Sequence, residues 1–134
     1  MTRFADTYYY LALLNPKDAM HTTAIRRSTE LRGQVVTTEW IITELADGLA
    51  QLSTRSAFLR LLAAVQRDPG TIIVPVSEDL QRRGLELYRA RPDKEWSLTD
   101  CISFVVMNDR GIVDALTGDH HFEQAGFTAL LKPQ

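Results

Sequence analysis

The chain has 134 residues, which suits one domain, numbered 1–134, with a core that needs no covalent staple. It is 45% hydrophobic and 24% charged, carries a formal net charge of −2 and has one cysteine. That excludes an internal disulfide, a zinc site built from several cysteines and a protein that coats nucleic acid by bulk positive charge. No basic-then-apolar leader opens the sequence, and no apolar run nears the roughly 18 residues that span a bilayer. A reducing, cytoplasmic setting is the expectation.

Arg3-Phe4-Ala5 predicts a short strand ending at Asp6. A helix is expected from Thr7 to Leu14, closed by Asn15-Pro16, because the residue before proline disfavours helix. It has almost no polar face, so burial on several sides follows. A second helix is expected from Asp18 to Arg32, with Gly33 as terminator and Met20, Ala24, Ile25 and Leu31 as its apolar face. Gln34 to Thr37 reads as a strand. Thr38 can cap the next helix, Glu39 to about Leu52, with Ile41, Ile42, Leu45, Ala46, Leu49 and Leu52 as its core stripe. Glu44 falls about 60° outside that stripe, on a flank that can reach a cleft edge.

Ser53 or Thr54 begins a further helix with Phe58, Leu61, Leu62 and Val65 at helical spacing, broken by Asp68-Pro69-Gly70. Thr71 to Pro75 is apolar on both faces, as interior parallel strands are. Ser77 caps a helix from Glu78 to Ala90 that turns Arg82, Arg83 and Arg89 outward. A polar loop, Arg91 to Glu95, leads to Trp96. Ser97 then caps a helix from Leu98 to Asp109, apolar nearly all round and therefore sandwiched, within the fold or at a subunit interface. Gly111 ends it, Ile112 to Thr117 is a strand, and Thr128 to Leu131 reads as a last, edge strand. The alternation of five strands with helices predicts an α/β fold around a parallel sheet. Sites in such sheets lie beyond the carboxyl ends of strands, where strand order reverses. Asp6 and Asp119 both follow strand ends, so they share one site if the first and fourth strands are neighbours.

Asp6, Glu44, Asp100 and Asp119 form the candidate site. Two carboxylates about 4 Å apart repel by roughly 4 kcal/mol at an effective dielectric near 20. Four together raise one another's pKa or draw in cations. Oxygen-only ligands select hard ions such as Mg²⁺ or Mn²⁺. One or two such ions can polarise a phosphodiester, activate a water and stabilise the leaving oxygen. Each acid also has a plain structural reading. Ser97-x-x-Asp100 resembles a capping box, Asp119 suits a turn, Asp6 can cap the first helix, and Glu44 can be an exposed glutamate paired with a base.

The chain resembles the PIN-domain ribonucleases of the stand-alone VapC toxin type. Phe4-Ala5-Asp6-Thr7 with Leu11 to Asp18 resembles the family's opening, and Val36-Thr37-Thr38 with Thr43-Glu44-Leu45-Ala46 its second motif. Asp93-Lys94-x-Trp96-Ser97-Leu98-Thr99-Asp100-Cys101-x-Ser103 resembles the third, and Leu116-Thr117-x-Asp119-x-His121-Phe122 with Gly126-Phe127 the fourth. The resemblance runs over essentially the whole chain. It implies a three-layer PIN-like sandwich and metal-binding, catalytic roles for Asp6, Glu44, Asp100 and Asp119. It places Thr7 and Thr117 beside them as supports. It implies Mg²⁺ or Mn²⁺, an RNA substrate, a homodimer and a protein antitoxin, with no membrane. Glu39 rivals Glu44, but Glu44 matches the motif. The Tyr8-Tyr9-Tyr10 run is bulkier than the small residues usual there, which bears on pocket shape.

His120-His121 invites a zinc reading, but adjacent histidines point apart, and His121-Phe122 fits the family pattern as a packing pair. Cys101 lies on the core stripe. Trp96 can stack on a base or pack beneath its loop. Arg82, Arg83, Arg89, Arg91 and Lys94 form either a basic rim for RNA or a solvated face. The rival class is a non-catalytic PIN-like module that binds protein or RNA, with Phe104 and Met107 as its interface. A small-ester phosphatase ranks last, for want of an Asp-x-Asp nucleophile motif.

Overall fold

The computed structural model describes residues 1–30 and 32–132. Five strands lie in one sheet: β1 (Arg3–Ala5), β2 (Val35–Thr38), β3 (Thr71–Val74), β4 (Asp114–Leu116) and β5 (Thr128–Ala129). Their order is β3-β2-β1-β4-β5, and every pairing is parallel. Seven helices flank it: α1 (Thr7–Leu14), α2 (His21–Glu30), α3 (Glu39–Gly48), α4 (Leu52–Arg67), α5 (Glu78–Ala90), α6 (Leu98–Arg110) and α7 (His120–Gln124). Helix α1 packs on α2 and α3, and α5 packs on α6. Strand order reverses between β1 and β4, and Ala5 pairs with Leu116 there. The carboxyl ends of these two strands therefore lie side by side, as the sequence reading required.

Local chemistry sets the element ends. Thr38 and Ser77 accept from the backbone N–H of Ile41 and Leu80, capping α3 and α5. Caps of this kind contribute about 1 kcal/mol each. Gly111 closes α6 in the left-handed region at φ 66°, where a side chain would be strained. At the middle of α5, a Cβ on Gly84 would meet Ile102 Cγ1 at 2.4 Å, so glycine lets α5 and α6 approach closely. The bare α6 is packed within the chain. Phe104 meets Trp96, Phe122 and Phe127 with ring centroids 5.0, 5.0 and 5.6 Å away. Phe104 and Met107 are 1% and 0% exposed, so neither supplies a docking face, and the interface assigned to them is withdrawn. Cys101 is fully buried, and burial, then Asp100, pushes its thiol up to about 11.

Four expectations need correction. The long helix to Leu52 ends at Gly48, and Leu52 opens α4 fully in solvent. Periodicity alone did not register the reset between residues 49 and 51. Helix α2 starts at His21 rather than Asp18, because Asp18 is used in a turn, accepting from the Met20 N–H. Ile25 is exposed, and Leu31 lies outside the described residues. Strand β3 is an edge strand, paired with β2 alone, although its sequence is apolar on both faces. The short α7 was not anticipated at all. Among the described residues no helix is long and apolar enough to cross a membrane.

Candidate metal centre

Asp6 stands at the junction of β1 and α1. It holds the N-cap position of α1, yet its side chain makes no cap. The carboxylate is turned instead toward β4, where Thr117 Oγ1 donates to Asp6 Oδ2 at 2.8 Å. The same hydroxyl accepts the Asp119 backbone N–H at 3.0 Å, so Thr117 ties together the two strand ends. Asp6 is 5% exposed. Burial, reinforced by the charges of Asp100 and Glu44, pushes its carboxyl up to about 7 despite the hydroxyl bond.

Glu44 projects from α3 at the surface, and its carboxylate accepts from Thr7 Oγ1 at 2.5 Å. Thr7, in the first turn of α1, is buried and immediately follows Asp6. The rival Glu39 is engaged elsewhere, accepting from the Val76 N–H at 2.7 Å. Asp100 does form the capping box, with Ser97 N–H donating to Asp100 Oδ2 at 3.1 Å and Asp100 N–H to Ser97 Oγ at 3.0 Å. Capping and site membership are therefore compatible. Burial, and then the Asp119 charge, raise the Asp100 carboxyl above its ordinary range. Asp119 caps α7 through the His121 N–H at 2.9 Å.

His121 is the residue whose place sequence reasoning missed. Its Nδ1 lies 3.2 Å from Asp100 Oδ2 and 3.4 Å from Asp119 Oδ1, bridging acids from two helices. The one local signal was the spacing of Asp119 and His121, whose backbone N–H the Asp119 carboxylate accepts. His120 is more exposed, with Nδ1 3.7 Å from Asp119 Oδ1. Asp119, His120 and His121 bring their ligand atoms within 4.8 Å of one another. Asp6, Glu44, Asp100 and Asp119 come from four separate elements and act on one another's charge. Among the described residues, histidine is the only basic partner within 4.0 Å of any of them.

The predicted basic rim divides in two. Arg82 pairs with Asp79 and Glu86, and Arg83 with Asp79 and Asp109, so both are balanced by acids. Arg91 is held by Asp93 and lies 5.1 Å over the Trp96 ring. Trp96 is buried, and its Nε1 donates to Gln124 Oε1, which settles its packing role. Arg89 and Lys94 border an open groove at the end of α5.

The PIN domain family model matches residues 3–128, which hold all of these elements through the first residue of β5. The chain belongs to the PIN domain family. Among PIN-domain relatives, the 23S rRNA-specific endonuclease VapC20 of Mycobacterium tuberculosis, matched in two strains, is 31% identical over 126 residues. The match covers 92% of this chain and 94% of the relative. The crystal structure of M. tuberculosis VapC20, described as a Sarcin-Ricin loop cleaving toxin, superposes with a TM-score of 0.86 at 29% identity. It covers 96% of this chain and 97% of that one. Family, length and fold together make this chain an RNA-hydrolysing enzyme of the VapC toxin type.

Proposed function

We propose that the chain acts as a single-domain endoribonuclease, dependent on Mg²⁺ or Mn²⁺, with Asp6, Glu44, Asp100 and Asp119 as its metal-binding and catalytic acids. The observation that carries this is the uncompensated charge. Four acids gather at one end of the sheet with no lysine or arginine within 4.0 Å among the described residues, and one is buried deeply enough to titrate near 7. A hard divalent cation is what such an all-carboxylate set fits. When bound, it would polarise the phosphodiester and favour ionisation of a water. The protein's own part is orientation. Thr117 fixes the Asp6 carboxylate, Thr7 fixes Glu44, and the Ser97 N–H fixes one oxygen of Asp100.

For the biological setting we infer a cytoplasmic homodimer held in check by a protein antitoxin, as is implied for the VapC type. A structured ribosomal RNA loop, such as the one VapC20 cleaves, is the first substrate to test. The assay is cleavage of end-labelled RNA by purified protein in Mn²⁺ or Mg²⁺ against EDTA. Asp6→Asn and Asp100→Asn should each abolish cutting while leaving the fold intact. Full activity retained in both would sink the assignment.

A further inference from the structure

A groove of about 900 Å³ lies between the end of α5 and the start of α6. Leu85, Pro92 and Leu98 give it an apolar floor. Tyr88 lines it and is 50% exposed, so its ring is open to a ligand. Arg89, Arg91 and Lys94 against Glu95 make the lining cationic in a chain whose net charge is −2. Arg91 is held by Asp93 over the Trp96 ring and forms a fixed wall. Arg89 and Lys94 have no ion pair within 4.0 Å among the described residues, in contrast to Arg82 and Arg83 on the same helix surface. The groove is joined to the metal centre through its wall residue Ser97, whose backbone N–H and hydroxyl hold Asp100.

We propose that this groove is a nucleotide subsite that takes an unpaired base of the RNA adjoining the scissile phosphate. Tyr88 serves as the stacking platform, and Arg89 and Lys94 hold the flanking backbone phosphates. An apolar floor with one exposed ring suits the face of a base, and mobile cations at the rim suit the charge that accompanies it. A protein partner would call for a larger apolar area and less uniform charge. The inference rests on the nuclease reading above.

The probe is a 12-nucleotide single-stranded RNA carrying one 2-aminopurine, measured in EDTA by anisotropy and by quenching of the 2-aminopurine. Stacking on one aromatic ring predicts that Tyr88→Ala weakens binding about tenfold and relieves the quenching. Tyr88→Phe should stay within about twofold, since the ring and not the hydroxyl does the stacking. Arg89→Ala with Lys94→Ala should flatten the salt dependence of log K by about 1.4, the value for two phosphates of a single strand. Tyr88→Ala binding RNA like the parent, or Tyr88→Phe losing as much as Tyr88→Ala, overturns the subsite. So does a change of oligomeric state in Tyr88→Ala with RNA binding intact, which would give the groove to protein. A parent protein that cuts RNA in Mn²⁺ but whose variants bind normally refutes the subsite alone. A parent that neither binds nor cuts RNA overturns both readings.

Discussion

Removing the buried charge at Asp6 should stabilise the metal-free protein, although it destroys the proposed site. Asp6 ionises near 7 when folded, against 3.8 for the unreacted side chain. A group whose folded pKa is raised stabilises the fold fully below its unfolded pKa, and that contribution is lost as pH climbs toward the folded value. Each unit in that window is worth about 1.4 kcal/mol. Between pH 5 and pH 8 the parent should therefore lose roughly 2.5 kcal/mol relative to Asp6→Asn, which cannot ionise there. At about 3 °C per kcal/mol for a chain of this size, the gap in Tm moves by about 7 °C. Because other titrating groups are common to both proteins, the comparison isolates Asp6. The assay is urea or thermal unfolding of both proteins in EDTA at the two pH values. Mn²⁺ should then raise the parent's Tm and leave that of Asp6→Asn nearly unchanged. A gap that stays constant with pH, or moves in favour of the parent, would refute the assignment of a buried, uncompensated carboxylate.

Two further outcomes follow from the supports of the site. Thr7→Val removes the hydroxyl that holds Glu44 and should weaken Mn²⁺ binding roughly tenfold, read by calorimetric titration, as loss of an outer hydrogen bond to a ligand does. Gly118 lies between Thr117 and Asp119, and a Cβ there would fall 2.6–2.8 Å from the Tyr8 ring. Gly118→Ala should cost about 1–3 kcal/mol in unfolding and reduce cleavage, and Tyr8→Ala in the same chain should restore both, which a double-mutant cycle measures.

Much of this molecule was legible because local signals agreed with the fold. The caps at Thr38, Ser77 and Ser97, the Gly111 terminator and the strand pattern fixed the element order. The neighbouring of β1 and β4, needed to bring Asp6 to Asp119, was only a condition in the sequence, and the structure supplies it. What escaped was set by tertiary contact or by brevity. Helix α7 has five residues, too few for a period to show. Strand β3 is apolar on both faces yet sits at an edge, so composition misjudged its neighbours. The exposed Leu52 continued a stripe that the backbone abandons after Gly48. Arg82 has its partners Asp79 and Glu86 at helical spacing in the sequence, whereas the bidentate pairing of Arg83 needed Asp109, distant in sequence, to come beside it. The bulky Tyr8 seemed at odds with the pocket, and the bare Cα of Gly118 is what makes room for it.

The hydrogen bond from Thr117 to Asp6 joins residues 111 positions apart. Strand β1 pairs on one flank with β2, the next strand in sequence, and on the other with β4, so one side of it is completed only by residues distant in the chain. Asp6 and Glu44 precede in sequence the two acids proposed to complete the centre, Asp100 and Asp119. The hydrogen bond that orients Asp6 therefore exists only once β4 has docked on β1, so the ordering of that carboxylate and the completion of the sheet are one event.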